Sequence, residues 1–200
     1  MSEINKNGML VDKTVTLKRY THIEHGALKS VHAIVVHQTD TTTAQQTFNS
    51  YTVGGNGAHF LIDKSGKIYQ TASLQKRCYH VGRLIKSKCL TINKKNCNSK
   101  EMSKIMALRW AKRIIAIDKN ERQKNYPDRY PVNSDSVGIE VVGKFINDTK
   151  YEDLTAAQNV SLQWLISELY EHFNLNAANV YRHPEVSYKM ASEGSTAVWK

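Results

Sequence analysis

Three polar residues stand next to otherwise apolar segments of this sequence. His37 ends an Ile-Val-Val run, Glu140 lies within Gly-Ile-Glu-Val-Val, and His183 follows Val-Tyr-Arg. Burying a carboxylate without a partner is costly, so Glu140 is expected to be paired, hydrogen-bonded or chemically active with a raised pKa. Each residue taken singly also has a structural interpretation, because a histidine at a strand end is often a hydrogen-bonded core residue.

As a set, these residue types suit metal-assisted hydrolysis. Histidines from separate chain segments, joined by one oxygen ligand, make the open three-ligand site typical of catalytic zinc. A glutamate that does not bind the metal can take a proton from water and pass it to a leaving amine. A lysine close to the metal can stabilise an oxyanion. Such a combination is suited to breaking an amide bond.

The hydrophobic pattern predicts the elements that would position these residues in the first half of the chain. Residues 33–37 predict a buried strand rich in β-branched residues. The threonines that follow could cap a helix through Phe48 and Tyr51, which should end near Gly54-Gly55. Residues 59–71 predict a hairpin of two short strands around a glycine-containing turn.

The second half of the chain begins with a segment of different character. Residues 84–132 are basic and asparagine-rich at first, and from Ser99 their apolar positions recur at helical spacing. Residues 136–143 then predict another buried strand. Thr155 and Gln158 predict a capping box that begins a helix with one apolar side. The order indicates an α/β fold with one helical insertion at about 84–132 and a single domain over 1–200.

The three cysteines, Cys78, Cys89 and Cys97, lack the paired spacing of a zinc knuckle. Cys89 and Cys97 are close enough in sequence to be bridged in an oxidising compartment. Three ordinary thiols are the first expectation, and a Cys89–Cys97 disulfide is the alternative.

The formal net charge of +10 attracts polyanions, among them nucleic acid, anionic membranes and the bacterial wall. No zinc-finger spacing or aromatic RNA-binding motif accompanies the charge, so nucleic-acid binding rests on charge alone and is not expected. No apolar run reaches the roughly 18 residues that a membrane-spanning helix needs. The N-terminus lacks the apolar core of a secretory signal. If the protein works outside the cytoplasm, something other than a cleaved signal must deliver it.

Five blocks of sequence carry a resemblance to a known family. They are Ile34-Val35-Val36-His37, then Ala58 to Ile62 with Ser65 to Gln70, then Tyr79-His80-Val81-Gly82, then Ser134 to Gly143, and finally Arg182-His183. In this order they resemble the type 2 N-acetylmuramoyl-L-alanine amidases. That family includes phage lysins, cell-wall recycling amidases and animal peptidoglycan-recognition proteins.

The resemblance implies a mixed central β-sheet flanked by helices, with Zn²⁺ at one end of a groove. His37 and His183 would bind the metal, and Glu140 would act as general base and then general acid. His80 would line the groove, and Lys189 would lie near the developing oxyanion. The bond cut would join the lactyl group of N-acetylmuramic acid to L-alanine of the stem peptide, in peptidoglycan or released muropeptides.

The sequence departs from the family's pattern at the third zinc ligand. The family usually has a lysine, one intervening residue, and then cysteine or aspartate, but here Ala191 occupies the ligand position after Lys189. Glu193 follows two residues later, and a shifted loop could bring its carboxylate to the metal, so we expect Glu193 to be the ligand. The alternative is a non-catalytic peptidoglycan-binding module of the same fold. His59 is expected to be structural, because the family's zinc set does not use it.

The insertion at about 84–132 lies between the block that contains His80 and the predicted strand that contains Glu140. We expect it to shape substrate access, or to present a basic surface to the wall or to a protein partner. A phage lysin, a secreted antibacterial effector with an immunity protein, and a recycling enzyme all fit the sequence. We expect synthesis in the cytoplasm and action on the cell wall or periplasm after release or injection.

Overall fold

The computed structural model describes residues 2–91, 97–147 and 149–199. In chain order its strands and helices are β1 (Glu3–Ile4), β2 (Leu10–Val11), β3 (Val15–Leu17), β4 (Glu24–Ala27), β5 (Ala33–Gln38), α1 (Ala44–Val53), β6 (Phe60–Ile62), β7 (Ile68–Gln70), β8 (Lys76–Cys78), α2 (Lys88–Thr91), α3 (Ser99–Met106), α4 (Trp110–Arg122), β9 (Ser136–Val141), β10 (Phe145–Asn147), β11 (Lys150–Tyr151), α5 (Ala156–Phe173), β12 (Val180–Arg182) and α6 (His183–Val186).

A six-stranded mixed sheet forms the centre of the molecule, in the order β12-β5-β9-β6-β7-β3. Strands β6 and β7 pair antiparallel, as expected for the predicted hairpin, and the other neighbouring pairs are parallel. Among the described residues, three short two-stranded pairings lie outside this sheet: β1 with β2, β4 with β8, and β10 with β11. The predicted mixed sheet with flanking helices is confirmed.

The two faces of the sheet bury different side chains because strand residues alternate sides. On one face, Ile34 and Val36 of β5 and the odd-numbered residues of β9 pack in a core that also holds the apolar side of α5, Leu162, Leu165, Ile166 and Leu169. On the other face, Ala33 and Val35 pack with residues from the insertion. His37 and Glu140 continue this second face, and the β5–β9 register places them directly opposite each other.

The predicted helix after β5 begins and ends where its sequence indicated. Thr43 caps α1, and Gln46 completes a capping box by accepting from the cap's backbone N–H. The helix ends at Gly54, whose φ of 92° is a left-handed conformation that glycine adopts readily. Thr155 and Gln158 likewise form the predicted capping box at the start of α5.

The insertion is helical, but its helical stretch is divided. Helices α3 and α4 are separated because Arg109 adopts an extended conformation at the N-cap of α4. Together with α2 they enclose a small core that contains Cys89, Met102, Ile105 and Ile117. The insertion therefore has its own buried residues besides those that it packs on the sheet.

Cys89 and Cys97 are joined by a disulfide, and Cys78 is a buried free thiol. The first expectation of three ordinary thiols is therefore wrong, and the alternative is what the fold forms. The Cα atoms of Cys89 and Cys97 lie 5.3 Å apart, within the range that a disulfide needs. Within the described ranges, none of the helices is long and apolar enough to cross a membrane.

Candidate metal centre and active-site cleft

Two of the predicted metal ligands meet at one edge of the sheet. His37 is the next-to-last residue of β5, and His183 directly follows β12, which pairs with β5 in parallel. Neighbouring parallel strands end at the same edge, so the two imidazoles converge. Nδ1 of His37 lies 2.8 Å from Nδ1 of His183, and both side chains are buried.

Glu193 joins the two histidines from the loop that follows α6. Its Oε1 lies 3.1 Å from His183 Nδ1 and 3.8 Å from His37 Nδ1. Its Oε2 is buried without a hydrogen-bond partner among the described residues. Ala191, at the position where the family's pattern has a ligand, is exposed instead. The loop thus brings Glu193, rather than Ala191, to the histidines.

The three ligand atoms could hold a metal ion. They lie within 4.8 Å of one another, and two imidazole nitrogens with a carboxylate oxygen are a donor set that suits zinc. Two ligands at zinc–nitrogen distances and a tetrahedral angle are about 3.3 Å apart. The observed separations of 2.8, 3.1 and 3.8 Å lie on both sides of this value. The residues therefore fit a zinc ion after a shift of about 0.5 Å in the histidine pair.

The other ring nitrogen of each histidine has its own partner. His37 Nε2 lies 3.1 Å from His80 Nδ1, and His183 Nε2 lies 2.7 Å from Ser187 Oγ. His80 in turn approaches the carbonyl oxygen of Ser136 through Nε2, at 3.3 Å. Such contacts fix the orientation of a metal-binding imidazole. They also define His80 as both a cleft residue and a neighbour of His37.

Burial favours the neutral form of the His37 imidazole, which is the form that binds metal. Burial is the main cause that lowers the pKa of His37 well below its usual value, and the nearby His183, His80 and Lys189 add to the effect. Burial also lowers the pKa of His80, with a further contribution from His59.

Gly138 allows His80 to pack tightly against β9. A Cβ at this position would lie 2.7 Å from Cγ of the His80 ring, which no real side chain tolerates. The backbone N–H of Gly138 donates to Nδ1 of His59, whose Nε2 therefore carries the proton that binds the Lys76 carbonyl. Burial lowers the pKa of His59 to about 4. Both nitrogens of His59 are occupied by backbone groups, as expected of a structural histidine.

Glu140 lies on the sheet next to the cluster of His37, His183 and Glu193. It lies on β9, paired with His37 on one side and with Leu61 on the other. It is partly exposed to the cleft, while its Oε2 is buried and has no hydrogen-bond partner within the described part of the chain. Burial, with help from Glu193, raises the pKa of Glu140 to about 8, and Lys189 opposes that rise. A bound cation would lower this pKa again.

A cleft of about 800 Å³ extends from the cluster across the sheet edge. Its walls come from α1, residues 79–82, the ends of β5 and β9, Tyr151 and the loop that carries Lys189 and Glu193. All six predicted site residues border this cleft, and Lys189 is exposed there.

The structure adds residues that sequence reasoning missed. Tyr151 lines the cleft from the short strand β11, and nothing in its local sequence indicated this position. Gln38 directly follows His37 and is buried against the Glu193 loop. Gln38 is a polar residue that continues an apolar strand, and this pattern could have indicated a buried polar side chain at the site.

Comparison with known proteins decides the family. The model of the N-acetylmuramoyl-L-alanine amidase family matches residues 27–196. This chain belongs to that family. The resemblance noted from the sequence blocks is therefore confirmed. Among curated proteins, none matches this sequence.

Solved structures share the fold at low sequence identity. A selenomethionine derivative of AmpD has 18% identity and a TM-score of 0.56, with 96% of each chain covered. The catalytic domain of XlyA has 19% identity and a TM-score of 0.52, over 87% of this chain and 88% of the other. AmpDh3 from Pseudomonas aeruginosa, in complex with an anhydromuramic pentapeptide, has 17% identity and a TM-score of 0.52, over 94% of this chain and 59% of the other.

Proposed function

We propose that this amidase-family chain is a zinc-dependent hydrolase of peptidoglycan. The bond cleaved joins the lactyl group of N-acetylmuramic acid to L-alanine of the stem peptide. The observation that carries the proposal is the buried group of His37, His183 and Glu193, which lines the same cleft as Glu140, the residue paired with His37 in the sheet. The family match and the muropeptide bound to a protein of this fold support the substrate class.

His37, His183 and Glu193 would hold the zinc ion through one atom each, which leaves a position open as catalytic zinc sites require. Bound there, Zn²⁺ would supply Lewis-acid polarisation of the substrate carbonyl and activation of water. His80 and Ser187 would keep the two imidazoles in the orientation that presents Nδ1.

Glu140 would carry the proton transfers. Water adds to the carbonyl carbon, its proton passes to the Glu140 carboxylate, and the same proton reaches the alanine nitrogen as the C–N bond breaks. The environment of this carboxyl group suits both steps. Burial raises its pKa to about 8, and the nearby Lys189 limits that rise.

Lys189 would stabilise the negative charge that develops on the carbonyl oxygen. It lines the cleft and is close enough to influence the pKa values of both Glu140 and His37. His80 would also border the bound substrate, since it lines the same cleft.

The alternative, a peptidoglycan-binding module without metal, depended on Ala191 as a sign of a lost site. The position of Glu193 beside both histidines removes that reason, so we favour the enzyme.

The insertion would shape access to the cleft. Leu84 forms an isolated antiparallel bridge with Ser187, and the ring of Trp110 lies 5.9 Å from that of Tyr188. Tyr188 directly precedes Lys189, so the insertion touches the loop that borders the cleft. Trp110 and Tyr188 are both well exposed and are available to a substrate that extends beyond the cleft. An immunity protein would be the partner if the chain is a secreted effector.

Digestion of purified peptidoglycan, followed by mass spectrometry of the released material, tests the proposal. We expect free stem peptides with a new amino group on L-alanine, no cleavage in a chelator, and recovery when zinc is restored. Release of disaccharides or of peptides cut within the stem would show a different reaction. Binding of peptidoglycan without any release would favour the binding module.

A further inference from the structure

We propose that Gln38 is a positioning residue for the metal centre, and that its side chain sets zinc affinity by holding the loop that carries Glu193. This inference rests on the proposed function, because it assumes that Glu193 is a zinc ligand. It assigns to Gln38 a role that is distinct from the ligands themselves.

Gln38 contacts the Glu193 loop at two points. It is the last residue of β5, directly after His37, and its side chain is buried. The backbone N–H of Gln38 points to Glu193 Oε1, at 3.4 Å. Its side-chain Oε1 accepts a hydrogen bond from the backbone N–H of Gly194, at 2.7 Å. One residue thus contacts the carboxylate and the peptide group beside it.

The other end of the Gln38 amide is also anchored. Nε2 donates to the carbonyl oxygen of Glu152, at 2.9 Å, next to the cleft residue Tyr151. The orientation of the amide follows from its partners, because a backbone N–H only donates and a carbonyl only accepts. A reversed amide would oppose donor to donor and acceptor to acceptor. Gln38 therefore links the Glu193 loop to the segment after β11 in one defined arrangement.

Gly143 provides the space for this link. A Cβ at position 143 would lie 2.4 Å from Gln38 Nε2. An alanine there would push the amide away from its partners without changing Gln38 itself. This gives a second, independent way to disturb the arrangement.

Removal of the Gln38 acceptor would leave the buried Gly194 N–H without its side-chain partner, which is costly. Movement of the loop toward another partner would carry Glu193 with it. Arg182 Nε also binds the loop, by donating to the Gly194 carbonyl at 2.8 Å, so the loop would stay folded but less well placed. Loss of comparable outer contacts typically weakens metal binding by about 10- to 100-fold.

The test is zinc affinity, measured by competition with a chromophoric chelator, together with the melting temperature of the metal-free protein. Gln38→Leu and Gly143→Ala are each expected to weaken zinc binding by about tenfold or more. The matched control is Gln70→Leu. Gln70 is buried too, on β7, three strands away from β5 in the sheet, and its amide accepts from Leu10 N–H and donates to the Gly8 carbonyl. The Gln70→Leu variant should have a lower melting temperature but a zinc affinity within about twofold of wild type.

Wild-type zinc affinity in folded Gln38→Leu would overturn the inference, as would an equal loss of affinity in Gln70→Leu. If Gln38→Leu does not fold, Gly143→Ala decides: unchanged zinc affinity there would also overturn it. A wild-type protein that binds no zinc would instead contradict the proposed function, so the two failures are distinguishable.

Discussion

Replacement of Glu140 by glutamine would preserve the shape of this side chain and remove its ability to accept a proton. A positioned general acid–base typically contributes 10²- to 10⁴-fold, so kcat of the zinc-loaded enzyme should fall by about that factor. This corresponds to about 3–5 kcal/mol of transition-state stabilisation. Zinc content should be unchanged, because Glu140 is not among the three clustered ligands.

The same replacement should stabilise the metal-free protein at alkaline pH. The pKa of Glu140 is raised from a reference value of 4.5 to about 8 in the folded chain. The folded state therefore binds this proton more tightly than the unfolded state, and wild-type stability falls as pH rises from about 4.5 to about 8. Glutamine has no proton to lose, so the variant escapes this loss.

The size of the effect follows from the pKa difference and from exposure. The full difference would correspond to roughly 5 kcal/mol. Glu140 is partly exposed to the cleft, and solvent screening reduces the figure, so we expect a gain of about 1–3 kcal/mol at pH 8 and little gain at pH 4.5.

Urea unfolding of the chelator-treated proteins at both pH values measures the stability, and turnover of a muropeptide measures the chemistry. Glu171→Gln, at an exposed position on α5, is the control that should alter neither. Turnover of the Glu140 variant within about tenfold of wild type would refute the assigned role. Equal stability of variant and wild type at pH 8 would refute the account of the buried carboxylate.

Three further replacements test other parts of the site. His37→Ala should abolish both bound zinc and activity, and stoichiometric zinc in this variant would contradict its role as a ligand. Glu193→Ala should weaken zinc binding, since it removes one of three ligand atoms; unchanged affinity, by the same chelator competition, would place the third ligand elsewhere. Trp110→Ala should slow digestion of intact peptidoglycan by about 2- to 10-fold through loss of an exposed ring beside Tyr188, with turnover of small muropeptides unchanged. An equal effect on both substrates, or an effect on neither, would exclude a role for Trp110 in access of the extended substrate.

Strong periodicity and capping chemistry made the central elements predictable. The buried strand at 33–37 appears as Ala33–Gln38, and the strand placed at 136–143 ends earlier, at Val141. Helix α5 begins at its predicted cap, Thr155, and α1 begins after Thr43, one of the threonines expected to cap it. By contrast, β1 and β2 each have two residues, too few for alternation to be recognised, and nothing predicted them.

Long-range contacts account for what the sequence could not indicate. The partners of Gln38, Glu152 and Gly194, are 114 and 156 residues away along the chain. The disulfide was the less favoured alternative because short sequence spacing does not show whether two thiols share a core. Residue type alone pointed to Glu193 as the candidate third ligand, since glutamate can bind zinc and alanine cannot. In the structure its Oε1 lies 3.1 Å from His183 Nδ1.

The most direct test of the metal centre is a crystal structure of the zinc-loaded protein with diffraction data collected at the zinc absorption edge. We predict one anomalous peak bound by Nδ1 of His37, Nδ1 of His183 and a carboxylate oxygen of Glu193. The separation of the two Nδ1 atoms should widen from 2.8 Å to about 3.3 Å. A peak at other residues, or no peak in crystals grown with excess zinc, would contradict the account.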